Sequence, residues 1–434
     1  MTAAVSEADP DPDPTVEAVV QTHLQPLFLH KPPYGNHEEA RGWAFDSIGR
    51  SLSLVGNAIF VGTAVVQQAK INAGCQPEAV KCSGVTQYGI RPSSFLALYN
   101  VIVGLVSSAM LPLLGAIVDH TPNRLALARI SAVAYVALLF PMIFISQTTW
   151  FLVAILLLVT ALIGWIHSGM SFAYLPEMSN NKKILERLNT SFTMIQFTTN
   201  IIYIVVVVGI ASAAGWVGNS IATARLAQSI NFAMTTAFWG IAWSKLMKAR
   251  PAMSELPSES CLLTIGFRSI YHTSHDIAKH HKSLGWFYGA LAFSESATQA
   301  LLIIVTTYSI EILNFASVQA GVMYLIILVS SVFGCYISEL SLQLLTPIRS
   351  NQLCLGFAGL FTALAAAFIR DSHVLFYVFS SFWGICGGWK YTIGETILFT
   401  FSRSRFIDVD SHFSIVTQRG TWQSQLYPST KMLN

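Results

Sequence analysis

Several ionisable and amide side chains interrupt apolar stretches of this 434-residue chain, where each is costly and therefore informative. Glu295 lies about eleven residues into the run that starts near 284, and Tyr288, Glu295 and Gln299 share one helical face at i, i+7 and i+11. An ionisable group at mid-bilayer costs about 2.5–3.5 kcal/mol on insertion scales, so it turns toward a partner or a cavity. Such a carboxyl suits proton coupling or amine recognition, with a structural bond to a neighbouring helix as the alternative. Lys390, in GGWKYTIGET, could meet a substrate carboxylate, neutralise Glu295 or snorkel to the interface. Gln196, Asn200 and Tyr203 form a second stripe at i, i+4 and i+7, which could bind a solute or glue helices together. Asp46, Arg50, Ser53 and Asn57 share a third face. Asp46 and Arg50 can pair there near the cytosolic interface, and the deeper Asn57 is the cavity candidate. His167 reads as a satisfied polar residue between helices, with a proton relay as the other option.

These side chains need elements that hold them in lipid. Hydrophobic residues make up 53% of the chain and charged ones 11%, against roughly a quarter in an average soluble domain. The chain therefore reads as an all-α polytopic membrane protein, with the bilayer as its solvent. Runs of about 20 apolar residues, the length a helix needs to cross, fall near 46–69, 93–118, 127–146, 150–174, 190–213, 228–246, 284–309, 316–338, 352–369 and 373–399. Placing the N-terminus in the cytosol puts seventeen Lys and Arg on that side and five on the other. The expected plan is a disordered acidic cytosolic arm (1–41), a six-helix bundle (42–246), a cytosolic linker (247–283), about four more helices (284–401) and a polar tail (402–434). The Asp-Pro repeats of the arm suit neither helix nor sheet. Six helices, a basic linker and a second block is the plan of a two-bundle transporter. The second bundle is incomplete. Either ten spans are natural to the protein or two more were lost to truncation or altered splicing, and the abrupt loss of apolar character after Phe401 favours the second.

Within this map the stretch Gly115-AIVD-HTPN-Arg124 closes the second span and turns on the cytosolic side. Gly115 permits close helix approach. Asp119 can accept N–H bonds at the next helix start and pair with Arg124, forming a charged latch at the rim. This Gly, Asp and Arg spacing resembles the loop between spans two and three of the major facilitator superfamily, although His120 replaces its usual basic residue and Pro122 its usual glycine. RGWAFDSIG, Tyr174-LPEM-Met178, SESATQALLIIVTTYSIEIL and GGWKYTIGET narrow the resemblance to the autophagy-related vacuolar effluxers, over roughly 42–403. The resemblance implies a twelve-helix transporter that releases amino acids from a vacuole or similar endomembrane compartment. A small polar solute would bind through Asn57, Gln196, Asn200, Tyr288, Glu295 and Gln299. Glu295 and Lys390 would couple transport, with protons as the candidate coupling ion, and Gly115, Asp119 and Arg124 would gate it. A truncated or non-transporting scaffold of the same fold is the alternative.

Other signals carry less. YHTSHDIAKHH in the linker holds His272, His275, His280 and His281 without a closed four-ligand set, so a solvated amphipathic segment is expected and no metal. Cys75 and Cys82 share the first non-cytosolic loop, where a disulfide is chemically allowed. No Walker loop, GxSxG elbow or HExxH is present, so neither an enzyme nor a cofactor is expected, and nothing suggests a nucleic-acid partner.

Overall fold

The computed structural model describes residues 37–76, 82, 84–174, 178, 182–252, 261–280, 282–369 and 372–405. The expected disordered arm up to residue 36 and the tail beyond residue 405 lie outside the described residues. Helix begins at His37, inside the segment expected as arm.

The first span is one long rod of α1 (His37–Val55), a π turn (Gly56–Val61) and α2 (Gly62–Asn72). In the turn the ladder slips to i→i+5, with the Gly62 N–H bonding the Asn57 carbonyl. The rest of the first group is α3 (Phe95–His120), α4 (Arg124–Met142), α5 (Trp150–Tyr174), α6 (Lys182–Ala213) and α7 (Ser220–Ile241), the last ending in a π turn over Ala242–Leu246. Asn219 caps α7, its side chain accepting from the Ala222 N–H at 3.0 Å. Then follow α8 (Leu262–His280), α9 (Lys282–Glu311), α10 (Ser317–Leu344), α11 (Pro347–Phe368) and α12 (His373–Arg405).

Among the described residues, eight of the ten expected spans are long and apolar enough to cross a membrane. The sixth and tenth are helices of sufficient length but lower apolar content. In α7 the reason is visible, because its Gln228, Asn231 and Thr235 are fully buried against neighbouring helices rather than offered to lipid. The polar stripe that lowers its hydropathy is what fastens it.

The core of the first group gathers around Trp43, Tyr174, Trp239 and Trp243 at the end nearest the chain start. A second cluster around Val65, Met142 and Trp150 fills the opposite end. In the second group, Phe315, Phe376 and Met323 centre the apolar packing. The two groups are tied at the end away from the N-terminus. There Lys70, 1% exposed, donates its Nζ to the Ile310 carbonyl at 3.0 Å and to Asn314 Oδ1 at 3.4 Å. Gln67 reaches the Phe315 carbonyl at 3.5 Å, and the Ser317 N–H donates to Ser220 Oγ at 3.1 Å. Cys75 and Cys82, at the same end, form a disulfide with Cα atoms 5.7 Å apart.

In the linker, α8 packs one face along α3, while most of its residues, His272, His275 and His280 among them, are exposed. Tyr271 and Phe267 on its other face are exposed, and His280 pairs with Asp276 at 2.7 Å. Among the described residues no His, Cys, Asp and Glu cluster could hold a metal.

Candidate functional site

Asp46 is the centre of the most densely connected polar site, and its side chain is inaccessible. Its Oδ1 accepts from Trp243 Nε1 at 2.8 Å and lies 2.7 Å from His167 Nε2, while its backbone carbonyl accepts from Trp239 Nε1 at 3.0 Å. Four helices contribute. The i, i+4 spacing on α1 brings Arg50 Nε to 2.8 Å from Asp46 Oδ2. The i, i+4 spacing at the end of α7 sets both tryptophans on one side. Gly49 makes the approach possible, because a Cβ there would sit 2.3 Å from Trp239 Nε1. Arg50 also donates a terminal N–H to Ser47 Oγ at 3.2 Å, so the ion pair is held from two sides of the guanidinium.

His167 of α5 is equally enclosed. Its ring stacks on Trp239 with centroids 3.9 Å apart and meets Trp243 edge-on at 5.3 Å. Its Nδ1 lies 3.0 Å from Ser131 Oγ on α4, and that oxygen is 2.9 Å from the Ala128 carbonyl. Arg50 sits between two aromatic faces, 4.6 Å from the Trp43 ring centroid and 4.8 Å from that of Phe172. The sequence places the Asp46–Arg50 pair at the rim; the structure forms the pair, with Asp46 enclosed against Trp239 and Trp243 and the Arg50 side chain at 10% exposure.

Two turns beyond Arg50, Asn57 occupies the π turn of the first rod. Its Nδ2 donates to the Tyr135 hydroxyl at 3.1 Å, whereas its Oδ1 is buried with no hydrogen-bond partner among the described residues. On α6, Asn200 Oδ1 is in the same condition. Tyr203 of that stripe is spent, donating to the Ala227 carbonyl at 2.9 Å and meeting Phe60 edge-on, so it serves as helix glue. Gln196 is half-buried.

On the second group, Lys390 of α12 reaches α9. Its Nζ donates to the Ser294 carbonyl at 2.8 Å and to Thr298 Oγ1 at 2.6 Å, and stands 3.5 Å from Glu295 Oε1. Of the options open for Lys390, the structure has it beside Glu295, whose carboxyl is exposed. Tyr288 is half-buried on the same helix, and the Gln299 side chain is not among those described. At the expected gate, Gly115 and Asp119 are half-buried near the end of α3, and Arg124 is buried. Arg124 donates to the Pro251 carbonyl at 3.1 Å.

Residues 36–194 match a family of known sequences. The match is to the vacuole effluxer Atg22-like family. It covers Asp46, Arg50, Asn57, Gly115, Asp119, Arg124, Ser131 and His167, and stops just before Gln196 and Asn200. The resemblance read from the sequence thus holds over the Atg22-like segment. No curated protein matches the chain in sequence. Among solved structures, a D-xylose–proton symporter superposes with a TM-score of 0.50 at 14% identity, covering 81% of this chain and 80% of that one. The xylose transporter XylE from E. coli, in a partially occluded inward-open conformation, gives 0.50 at 14%, covering 83% and 84%. At that identity the likeness establishes the fold alone, which is that of major facilitator transporters. The chain is a multi-pass membrane protein of transporter fold.

Proposed function

We propose that this chain is a secondary transporter that moves small polar solutes, amino acids among them, out of a vacuole-like compartment by alternating access, with its N-terminus in the cytosol. The solute binds between the two helix groups, with Asn57, Gln196 and Asn200 on one side and Tyr288, Glu295 and Gln299 on the other. The observation that carries this reading is the pair of buried acceptors, Asn57 Oδ1 and Asn200 Oδ1, left without a hydrogen-bond partner among the described residues. An unmet buried acceptor costs roughly 1–3 kcal/mol, which a bound ammonium or hydroxyl group returns. Asn57 also sits in a π turn, a distortion common at functional sites.

The bonds from Lys70 and Ser317 close the end away from the N-terminus, and rocking the groups apart breaks them. Gly115, Asp119 and Arg124 gate the opposite end, and exchange at the Glu295–Lys390 pair couples the second group to substrate or proton. The test is counterflow of radiolabelled neutral amino acids in liposomes holding the full chain. Asn57→Ala and Asn200→Ala are expected to lower apparent affinity at least about tenfold while insertion is unchanged. Wild-type counterflow no faster than that of empty liposomes overturns the proposal. A second reading, a non-transporting scaffold of the same fold, is favoured by α9, whose Trp286 and Phe293 are 82% and 80% exposed. Flux by the wild type excludes it.

A further inference from the structure

We propose that His167, Asp46 and Arg50 form a linked binding site: a proton binds the His167 ring, and the substrate's carboxylate binds the Arg50 guanidinium. The proposal rests on the transporter reading and adds a proton site distinct from the Glu295–Lys390 pair. It starts from the bonding of His167. Asp46 Oδ1, a carboxylate oxygen, accepts from Nε2, so that nitrogen carries a hydrogen in either charge state of the ring. The other nitrogen faces Ser131 Oγ, which also lies within reach of the Ala128 carbonyl. With a neutral ring, the Ser131 hydroxyl donates to Nδ1. With a protonated ring, Nδ1–H donates to Ser131 Oγ, and the hydroxyl hydrogen turns to the Ala128 carbonyl. Both states are fully bonded, and only one hydrogen rotates. A histidine held purely for packing has no use for this second arrangement. Histidine is also the side chain whose ordinary charge change falls between pH 5 and 8. The stacked face of Trp239 suits an imidazolium as well as an imidazole.

Charge then links the two ligands. With His167 neutral, Asp46 and Arg50 cancel. Protonation makes the cluster net positive, and the one carboxylate is shared between two cations. Arg50 gains capacity for a second anion. It is the member of the three that is not sealed, at 10% side-chain exposure, and Tyr391 of α12 lies within its electrostatic reach. Tyr391 in turn meets Phe197 of α6 edge-on at 6.0 Å, a contact between the two helix groups.

The remaining titratable and charged groups around the cluster are otherwise engaged. Arg129 of α4 gives its Nε to the Trp243 carbonyl at 2.7 Å. Tyr135 of α4 lies tilted against Trp239 with ring centroids 5.1 Å apart and accepts from Asn57. Tyr174 of α5 meets Trp243 edge-on at 5.7 Å. No carboxylate other than Asp46 bonds His167 or Arg50 among the described residues. The substrate class that follows is a small solute bearing a carboxylate, carried with one proton.

The experiment uses the full chain in liposomes with radiolabelled neutral amino acids and, in parallel, their decarboxylated amines. Wild-type apparent affinity for the amino acids is expected to rise about fivefold or more from pH 7.5 to 5.5, the lower end of ordinary coupling between sites. The amines are expected to show no such rise. His167→Gln keeps both hydrogen bonds but cannot take the charge, and its affinity is expected to be flat with pH. Should that variant fail to insert, proton uptake by the detergent-solubilised wild type on adding amino acid reads the same linkage, at about one proton per substrate bound. Amino-acid flux by the wild type with no proton uptake, or a His167→Gln variant with the wild-type pH profile, overturns the linked site and leaves the transporter reading standing. Absence of flux at every pH overturns both.

Discussion

The first span of each helix group makes an instructive pair. The rod of α1, its π turn and α2 is 83% buried over its most apolar stretch, whereas α9 is 12% buried over its own, although the two are comparably apolar. Hydropathy therefore does not decide which helix is enclosed. Partners decide it. The first rod lies between α6 and α7, both of which turn polar and aromatic side chains inward to meet it. On α9, Trp286, Phe293 and Ile304 face outward, and the directed contacts to α12 run through Lys390. One span is built into a core, and the other meets its group through Lys390, the Thr306–Tyr324 hydrogen bond and the Tyr308–Phe376 stack.

That contrast can be broken from either side. The largest effect is expected from Asp46→Ala, which leaves Arg50 and His167 enclosed without their shared acceptor. Breaking a buried pair in this way costs about 3–5 kcal/mol, and thermal unfolding in detergent should show the whole first group destabilised. Next comes Gly388→Val on α12. A Cβ there would lie 1.9 Å from the Ser331 carbonyl of α10, so the crossing must open at a cost of roughly 1–3 kcal/mol, read by the same assay. Lys390→Met should act locally, freeing α9 by about 1–2 kcal/mol and raising its hydrogen exchange while α1 stays protected. The smallest effect, within about 0.5 kcal/mol, is expected for Trp286→Ala, because that ring is largely exposed. An equal loss from Asp46→Ala and Trp286→Ala would erase the distinction between the two spans.

The sequence carried the fold and less of the site. Span positions follow from apolar run length, a local property, and the short-range Asp46–Arg50 pair was legible from i, i+4 spacing. The Cys75–Cys82 bridge was legible as an open option, since loop and compartment allowed it. Lys390 beside Glu295 had been one of three readings, and choosing among them required knowing how α9 and α12 cross. His167 and Asp46 are 121 positions apart, and nothing in either neighbourhood shows that α1 and α5 meet there. The available signal was aromatic: Trp43, Trp239 and Trp243 are indoles that need acceptors when buried, and Asp46 supplies two of them. The π turn left no trace either, because no proline marks Gly56–Val61. The linker helix was legible only as amphipathic. Its amphipathic pattern announces one buried face, but the pattern cannot say that the cover is α3 rather than water or lipid.

The most direct test of alternating motion uses the contact between the groups. In a variant with Lys70→Cys and Asn314→Cys, a short thiol-reactive cross-linker would replace the bond between those side chains by a covalent one. Cross-linked protein in liposomes is expected to lose amino-acid counterflow and to regain it when the tether is cleaved. Undiminished counterflow with the tether intact would contradict the account, because the two groups would then pass substrate without parting at that end.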